Sequence, residues 1–314
     1  MRVRFPPRAF FIELDDEQLF SCNLRPMASR PNPTAILLIS CPDQPGIVAA
    51  ISQFLFENSG NIVDVDQHVD ADEKTFFMRM EWEVDGFAIG REEIDSAFKP
   101  LADKFDITYK LHFSDILPKV ALFVTRDNHC LYDLLSRYES GELKMEIPLI
   151  ISNREDLKPA AERFDIPFHC LPITKQNKAE QEAQQIKLLR DNDCEMAILA
   201  RYMQILSSQL VDAFPFQIIN IHHSFLPAFP GARPYHSAFK RGVKIVGATS
   251  HYVTEELDEG PIIHQDVTRV SHRDSVKDFI RKGRDLEQTV LSRAVWLHIN
   301  RRTLVFSNRT VVFG

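Results

Sequence analysis

The spacing of hydrophobic residues in the first third of the chain predicts a small α/β domain. An apolar run over 34–41 is typical of a strand, and apolar residues recur at helical spacing in the segment 47–60. Apolar and polar residues then alternate through 62–70 and 75–84, as they do in half-buried strands. A second helix, which Pro100 should kink or delay, and a last strand complete the order βαββαβ. This is the order of the split ferredoxin-like fold.

After residues 114–119, which we interpret as a linker, short apolar runs alternate with helical segments. Apolar strands separated by helices indicate a mostly parallel sheet that helices cover on both faces. A β-hairpin pattern over 243–270, a long helix and a terminal hairpin follow. The pattern therefore predicts an α/β protein with a ferredoxin-like domain at 34–114 and a doubly wound, Rossmann-like domain at 115–314.

Charge, cysteine content and the N-terminal segment narrow the class of protein. Residues 1–33 are basic, broken by proline and without the apolar segment of a signal peptide, so we expect a poorly ordered arm there. The net charge of −7 argues against a general binder of nucleic acid or anionic membranes. The 5 cysteines are scattered and form no CxxC pair, which is typical of reduced thiols in a cytoplasmic protein. No apolar run approaches the roughly 18 residues that span a bilayer.

A candidate catalytic pair lies where the predicted strand 217–223 ends. In open α/β sheets, ligands bind beyond the carboxyl ends of the strands. Alternation along the strand places the side chains of Asn220 and His222 on the same side. An amide donor and an imidazole suit a reaction that develops an oxyanion, because Asn donates without titrating and His carries a proton near neutral pH. Taken alone, such a pair is more often a hydrogen-bonding or capping pair.

An acidic turn at 255–260 could supply a carboxylate to this pair, and Gly260 would permit the tight turn. Taken alone, such a turn is more often a solvated loop, and His251 is more often a hydrogen-bonded strand residue. His222 and His223 are adjacent and point to opposite faces of a strand, so we expect no metal there.

One further reactive pair gives a weak signal. Cys130 beside His129 could suggest a thiol nucleophile, but adjacency in sequence does not establish geometry.

Two motifs in this order resemble the folate-dependent formyltransferase family. The first is Asn-x-His followed by Ser-x-Leu-Pro, at 220–227, and the second is Asp-x-Gly before a strand, at 258–260. The resemblance covers about 117–300. It implies that Asn220, His222 and Asp258 are catalytic. It also implies a folate pocket, lined largely by backbone groups, at Arg201, Tyr202, Met203, Ile205, Leu206, His251, Val253, Glu255 and Leu257.

Branches of that family differ in the acceptor of the formyl group. The glycinamide ribonucleotide transformylases have a Gly-rich loop that cradles a substrate phosphate. The corresponding segment here, 124–135, reads VTRDNHCLYDLL and contains no glycine. The first domain, with DQPGIV at 43–48, resembles an ACT domain. The two domains together resemble the deformylase branch. That resemblance implies hydrolysis of 10-formyltetrahydrofolate to tetrahydrofolate and formate, with formate supplied to purine synthesis and the one-carbon folate pools kept in balance.

Several alternatives stay open at the level of sequence. The chain could transfer the formyl group to an amine acceptor, or bind folate without catalysis, or act as a metal-dependent hydrolase. The resemblance implies that folate is the substrate and that no cofactor is required.

The ACT resemblance implies regulation by an amino acid, glycine or methionine. The candidate effector residues are Asp43, Gln44, Gly46, Ile47 and Asn61. The alternative is a domain that only dimerises. Because pairing of ACT domains covers a sheet edge that is otherwise unpaired, we expect a homo-oligomer.

Overall fold

The computed structural model describes residues 32–228 and 234–314. The arm predicted for 1–33 lies outside the described residues, apart from its last two positions. Residues 229–233 of the proline-rich segment after the predicted catalytic strand also lie outside them.

The first domain has the predicted ferredoxin-like fold. Its four antiparallel strands lie in the order β2-β3-β1-β4. Their bounds are β1 Thr34–Pro42, β2 Ile62–Asp70, β3 Thr75–Glu83 and β4 Thr108–Phe113, and the helices are α1 Ile47–Glu57 and α2 Ile94–Phe105. β2 was predicted to be half-buried, but it is an edge strand and most of its side chains are exposed.

The two helices cover one face of this small sheet. The side chains of Ile51, Leu55 and Trp82 are buried between the helices and the strands. α2 contains Pro100 and continues beyond it, so the proline does not end the helix. Phe98 and Ala102, on either side of the proline, are buried, and their packing stabilises the helix across the missing backbone hydrogen bond.

The other face of the small sheet is covered by the terminal hairpin, which comprises β12 Thr303–Phe306 and β13 Arg309–Val312. Phe77 and Arg79 alternate onto this face and are both buried. The Phe77 ring lies 5.1 Å from that of Phe306, and Arg79 donates from Nε to the carbonyl oxygen of Arg301. The first domain is therefore packed against the end of the second.

The second domain is built on a seven-stranded sheet in the order β11-β10-β9-β8-β5-β6-β7. The strands from β9 to β7 are parallel, whereas β10 and β11 form an antiparallel hairpin. The strand bounds are β5 Val120–Val124, β6 Ile150–Ser152, β7 Phe168–Cys170, β8 Met196–Leu199, β9 Ile218–His222, β10 Ile245–Tyr252 and β11 Ile262–Arg269. The helices are α3 His129–Glu139, α4 Lys158–Arg163, α5 Lys178–Asp191, α6 Ser208–Ala213, α7 Pro234–Arg241 and α8 Val276–Ile299.

Helices cover both faces of the large sheet, as predicted for a doubly wound domain. One core cluster joins the sheet to α3, α4 and α8, and another joins it to α5 and α6. Strand order reverses between β5 and β8, and the carboxyl ends of β5, β8 and β9 meet at that place. No described helix is both long enough and apolar enough to cross a membrane.

Candidate active site

Asn220 and His222 lie at the carboxyl end of β9, where the sequence predicted them. β9 is paired with antiparallel β10 so that Asn220 is opposite His251 and His222 is opposite Thr249. Side chains of directly opposed residues project from the same face of a sheet. The amide Nδ2 of Asn220 accordingly lies 3.2 Å from Nε2 of His251. The register of two strands therefore brings three polar side chains together.

Asp258 reaches the same face from the acidic turn between β10 and β11. It has a left-handed backbone conformation, with φ of 58°. Gly260, two residues later, was expected to permit the turn, and the structure gives the reason. A Cβ at that position would lie 1.8 Å from the carbonyl oxygen of Tyr252. Gly260 is required for this close approach, and the approach fixes where Asp258 points.

The hydrogen bonds determine which imidazole nitrogens carry protons. Nδ1 of His222 lies 3.1 Å from Oδ2 of Asp258, and a carboxylate only accepts, so Nδ1 donates. Nε2 of His222 is buried and has no hydrogen-bond partner among the described residues. Nδ1 of His251 donates to the carbonyl oxygen of Tyr252 at 2.9 Å, which leaves its Nε2 to accept from Asn220. In the neutral form of His222, Nε2 therefore presents a lone pair.

Asp258 is held as a carboxylate. Its partial burial would raise its pKa, but the hydrogen bond from His222 and the nearby imidazole of His251 lower the pKa well below the usual range. Oδ1 lies 3.6 Å from Nε2 of His251, which is an electrostatic contact longer than a hydrogen bond. Above the acid range Asp258 can thus hold a water or a proton donor without first losing a proton.

These side chains open onto a cleft of about 350 Å³. The cleft runs between the segment after β8 and the acidic turn. Every residue predicted to bind folate lines it: Arg201, Tyr202, Met203, Ile205, Leu206, His251, Val253, Glu255 and Leu257. Met203, Ile205 and Leu257 expose apolar side chains there, which is typical of a pocket that takes a flat, partly apolar ligand. The predicted list of individual folate-binding and catalytic residues omitted four polar residues of the lining: Gln204, His223, Thr254 and Glu256.

Two of the lining residues face the cleft with their backbones. The Tyr202 side chain is buried beside Phe123 at a ring distance of 5.3 Å, and its hydroxyl accepts from Gln185. The Arg201 side chain turns away toward Asp127, with 3.1 Å from Nη2 to Oδ2. That the segment contacts a ligand largely through backbone groups stays a prediction.

The segment 124–135, where a phosphate cradle would lie, is occupied by its own polar network. Oε2 of Glu287, on α8, lies 2.8 Å from Nε2 of His129 and 3.5 Å from Nε of Arg201. The hydroxyl of Tyr235 donates to the other oxygen of Glu287 at 2.6 Å. Burial would raise the pKa of Glu287, but these contacts lower it. His129 and Arg201 are thus already paired with a carboxylate.

His129, Cys130 and Glu287 are also the one group of described side chains with the residue types of a metal site, since their ligand atoms lie within 4.8 Å of one another. Both oxygens of Glu287 already accept hydrogen bonds. Burial raises the pKa of the Cys130 thiol well above its usual range, which argues against a reactive thiolate. Arg201 adds a positive charge beside the group. We assign no metal to it.

Of the candidate effector residues, Asp43, Gln44, Gly46 and Ile47 lie at the start of α1, and the structure does not bring Asn61 to them. Asn61 lies beside Glu83, at the opposite end of the small sheet from Asp43. Asp43, Gln44 and Gly46 are exposed, and Gly46 has a left-handed φ of 97°. Asn61 is exposed and donates to Glu83. Ile47 differs, because its side chain is buried in the domain core and only its backbone faces the loop.

The fold and this site define an enzyme of the formyl transferase class joined to an ACT domain. A family model described as formyl transferase matches residues 118–295, and one described as ACT domain matches residues 35–103. A formyltetrahydrofolate deformylase of Synechocystis sp. is 59% identical over 283 residues, which cover 90% of this chain and 99% of the relative. One of Bacillus subtilis is 48% identical, with 88% of this chain and 93% of the relative covered.

Solved structures give the same result. The crystal structure of a formyltetrahydrofolate deformylase from Pseudomonas syringae pv. tomato superposes with a TM-score of 0.89 at 45% identity, covering 91% of this chain and 96% of that one. The chain belongs to the formyltetrahydrofolate deformylase family. The fold and the family implied by the sequence motifs are confirmed, whereas the roles of individual residues and the domain boundaries stay predictions.

Proposed function

We propose that Asn220, His222 and Asp258 carry out the hydrolysis of 10-formyltetrahydrofolate by water in this chain, yielding tetrahydrofolate and formate. The observation that carries the proposal is the hydrogen bond from Nδ1 of His222 to Asp258, which leaves the buried Nε2 of His222 without a partner among the described residues. A positioned carboxylate, a free imidazole nitrogen and a spare amide N–H are what acyl hydrolysis needs.

The order of bond changes follows from these positions. Asp258 holds a water, whose oxygen attacks the formyl carbon while the carbonyl electrons move onto the formyl oxygen. The developing oxyanion takes the second N–H of Asn220, since the first is used by His251. The proton that the water loses passes to Nε2 of His222. His222 then gives a proton to N10 as the C–N10 bond breaks, and formate leaves.

Water, and not an amine, is the acceptor in this proposal. Two side chains of 124–135 that could bind an acceptor, Asp127 and His129, are already paired with Arg201 and Glu287. A transferase needs a site for a second substrate beside the formyl group. The paired network supports hydrolysis over transfer to an amine.

We place the pterin of the substrate against 198–206 and the turn at 253–258, with the glutamate tail toward solvent. The exposed apolar side chains of Met203, Ile205 and Leu257 support this placement, because a bound ring system would cover them. The formate released would serve purine synthesis and help to balance the folate pools. No cofactor takes part in the proposed steps.

For the ACT domain we propose an amino-acid effector, glycine or methionine, at the loop of Asp43, Gln44 and Gly46. The exposed loop and the left-handed Gly46 support it.

We also propose a homo-oligomer formed through β2, an edge strand on which Val65 is 51% exposed. Light scattering should show an oligomer that Val65→Lys weakens, and a monomer at all concentrations would contradict it.

The test is formate release from 10-formyltetrahydrofolate, without an amine and with a chelator present. The wild-type chain should release formate. Asp258→Asn should lose about 10²–10⁴-fold in kcat, because the carboxylate no longer holds the water and its partner imidazole. Asn220→Ala should lose about 10²–10³-fold, as expected for one oxyanion donor.

Glu259→Gln is the matched control, since it makes the same carboxylate-to-amide change one residue from Asp258 at an exposed position. It should retain nearly full activity. Release that begins only when an amine is added would make the chain a transferase. Release that the chelator abolishes would make it a metal-dependent hydrolase.

A further inference from the structure

A second cavity lies between the small sheet and the end of the second domain. Its volume is about 180 Å³. The first domain contributes residues of β1 and β4, and the second contributes the ends of β10 and α8 together with the start of β12. The cavity is on the sheet face opposite to α1 and α2, so it is separate from the candidate effector loop.

The strands of the first domain present polar side chains to this cavity. Thr108, Lys110 and His112 alternate onto the outer face of β4, whereas the residues between them pack into the domain core. Ser40 is opposite Thr108 in the neighbouring strand β1. The outer face of β4 thus supplies a hydroxyl, an ammonium and an imidazole side by side.

The second domain adds two more nitrogen-bearing side chains. His298 is buried near the end of α8 and lines the cavity, and its Nε2 has no hydrogen-bond partner in the part of the chain that the structure describes. The Arg301 side chain also lines the cavity, and its Nη2 lies 3.0 Å from Glu195, which does not line the cavity. The other donors of the Arg301 guanidinium are available to a ligand.

The charge of the lining is one-sided. It includes Lys110, Arg301, His112 and His298, and it includes no Asp or Glu. Burial, and then the charges of Arg301 and Lys110, lower the pKa of His112 to about 4 and that of His298 to about 3. Both imidazoles are therefore neutral. A proton on either imidazole would add a positive charge beside Lys110 and Arg301, and the lining holds no carboxylate to balance it. An anion would supply the missing counter-charge.

We propose that this interdomain cavity binds a small carboxylate anion, held by Lys110, Arg301 and His298. A free amino acid fits less well, because no lining carboxylate would pair with its ammonium group. A volume of about 180 Å³ suits a ligand of a few heavy atoms.

The cavity is connected to the active site through one residue. The hydroxyl of Tyr252 lies 2.7 Å from Nδ1 of His298 and 2.8 Å from the hydroxyl of Thr303. The carbonyl oxygen of Tyr252 accepts from Nδ1 of His251, the imidazole that faces Asn220 and Asp258. An anion that reorients His298 therefore acts on a residue that fixes the tautomer of His251. We infer that occupancy of the cavity changes turnover.

The binding test uses calorimetric titration of the full chain with sodium acetate, against sodium chloride at equal ionic strength. Acetate should bind saturably, and Lys110→Gln should weaken that binding about tenfold or more, as expected for the loss of a charged hydrogen-bond partner. Lys99→Gln, at an exposed lysine of the same domain, is the matched control and should bind as the wild type does. Equal affinity of the Lys110 and Lys99 variants, or no acetate heat above that of chloride, would overturn the site.

Two further titrations test where acetate binds and which kind of ligand the cavity takes. Asp258→Asn should leave acetate binding unchanged, because Asp258 does not line the interdomain cavity. If acetate were instead bound in the catalytic cleft, this substitution would change its affinity. Any binding of glycine at the proposed effector loop should be the same in Lys110→Gln as in the wild type. A glycine affinity that is tighter than that of acetate and is weakened by Lys110→Gln would overturn the assignment of a simple anion. These binding measurements do not depend on the proposed function.

The coupling test rests on the proposed hydrolysis. Saturating acetate should change kcat of the wild type by about twofold or more, and Tyr252→Phe should bind acetate with that change abolished, because the hydroxyl that contacts His298 is gone. An unchanged kcat in the wild type, or an equal change in Tyr252→Phe, would overturn the coupling. If no variant and no condition gives formate release, the proposed hydrolysis is wrong. The calorimetric binding result would still stand, because it does not depend on activity.

Discussion

Gly260 makes the position of the catalytic carboxylate testable without changing a polar group. A Cβ added to Gly260 would lie 1.8 Å from the carbonyl oxygen of Tyr252, 3.0 Å from its carbonyl carbon and 3.2 Å from Cγ2 of Thr254. The first of these is a contact with backbone, which cannot rotate away. Gly260→Ala must therefore separate the turn from β10 by more than about 1 Å.

That displacement is passed directly to Asp258. The turn is tied to β10 by the hydrogen bond from Tyr252 N–H to the carbonyl oxygen of Pro261, at 2.9 Å, which lies beside the added methyl group. Asp258 is two residues before Gly260, and its contact with His222 is only 3.1 Å long. Because a misplacement of about 1 Å in a catalytic group costs about 10²-fold, we expect kcat for formate release to fall about 100-fold.

The assay is steady-state formate release, with thermal melting and circular dichroism to establish that the variant is folded. We expect a loss of about 1–3 kcal/mol in the free energy of unfolding, which a stable domain survives. Gly90→Ala is the control glycine, since its nearest neighbour would be Oε2 of Glu93 at 3.4 Å, an ordinary contact. A folded Gly260→Ala variant with the kcat of the wild type would refute the argument that the turn positions Asp258.

Three other perturbations test separate parts of the structure. Ile205→Ser should raise KM about fivefold with kcat nearly unchanged, because Ile205 is 61% exposed in the open cleft and a bound ring would cover it. An unchanged KM in steady-state kinetics would contradict this. Glu287→Gln should lower the free energy of unfolding by about 3 kcal/mol, measured with urea, because the Arg201 side chain, only 12% exposed, loses one of its two carboxylate partners. A change below about 0.5 kcal/mol would argue against it. Burial lowers the pKa of His298 to about 3, so the unfolded chain binds a proton that the folded chain does not, and the stability should fall as pH decreases from about 6.5 toward 3. His298→Phe should reduce that fall between pH 7 and pH 5, and equal pH dependences of the two chains would speak against a neutral His298.

The catalytic strand was predictable because its signal is local. Alternation of two residues along β9 places Asn220 and His222 together, and this needs no knowledge of the neighbouring strand. The pairing of Asn220 with His251 depends on the register between β9 and β10, which a single sequence does not specify. The family resemblance supplied Asp258, but the reason for Gly260 is a close approach that appears only in three dimensions.

Features that depend on tertiary packing were the ones that sequence reasoning missed or misjudged. α7, which carries Tyr235, was not predicted, because its segment follows a proline-rich stretch that is typical of a loop. Ile47 was named as a residue of the effector loop, but its side chain belongs to the helical stripe that the domain core buries, so only its backbone lies at the loop. The outer face of the small sheet is buried because the terminal hairpin, more than 200 residues later in the chain, packs on it and brings Arg301 to Arg79.

The central claim, direct attack by water held at Asp258, is tested most directly by isotope incorporation. A single turnover of 10-formyltetrahydrofolate in ¹⁸O-labelled water, with enzyme in excess and no amine present, should yield formate that carries one ¹⁸O atom, because one oxygen comes from the formyl group and the other from water. Formate without ¹⁸O after a single turnover would contradict the account, since its second oxygen would then have come from the protein.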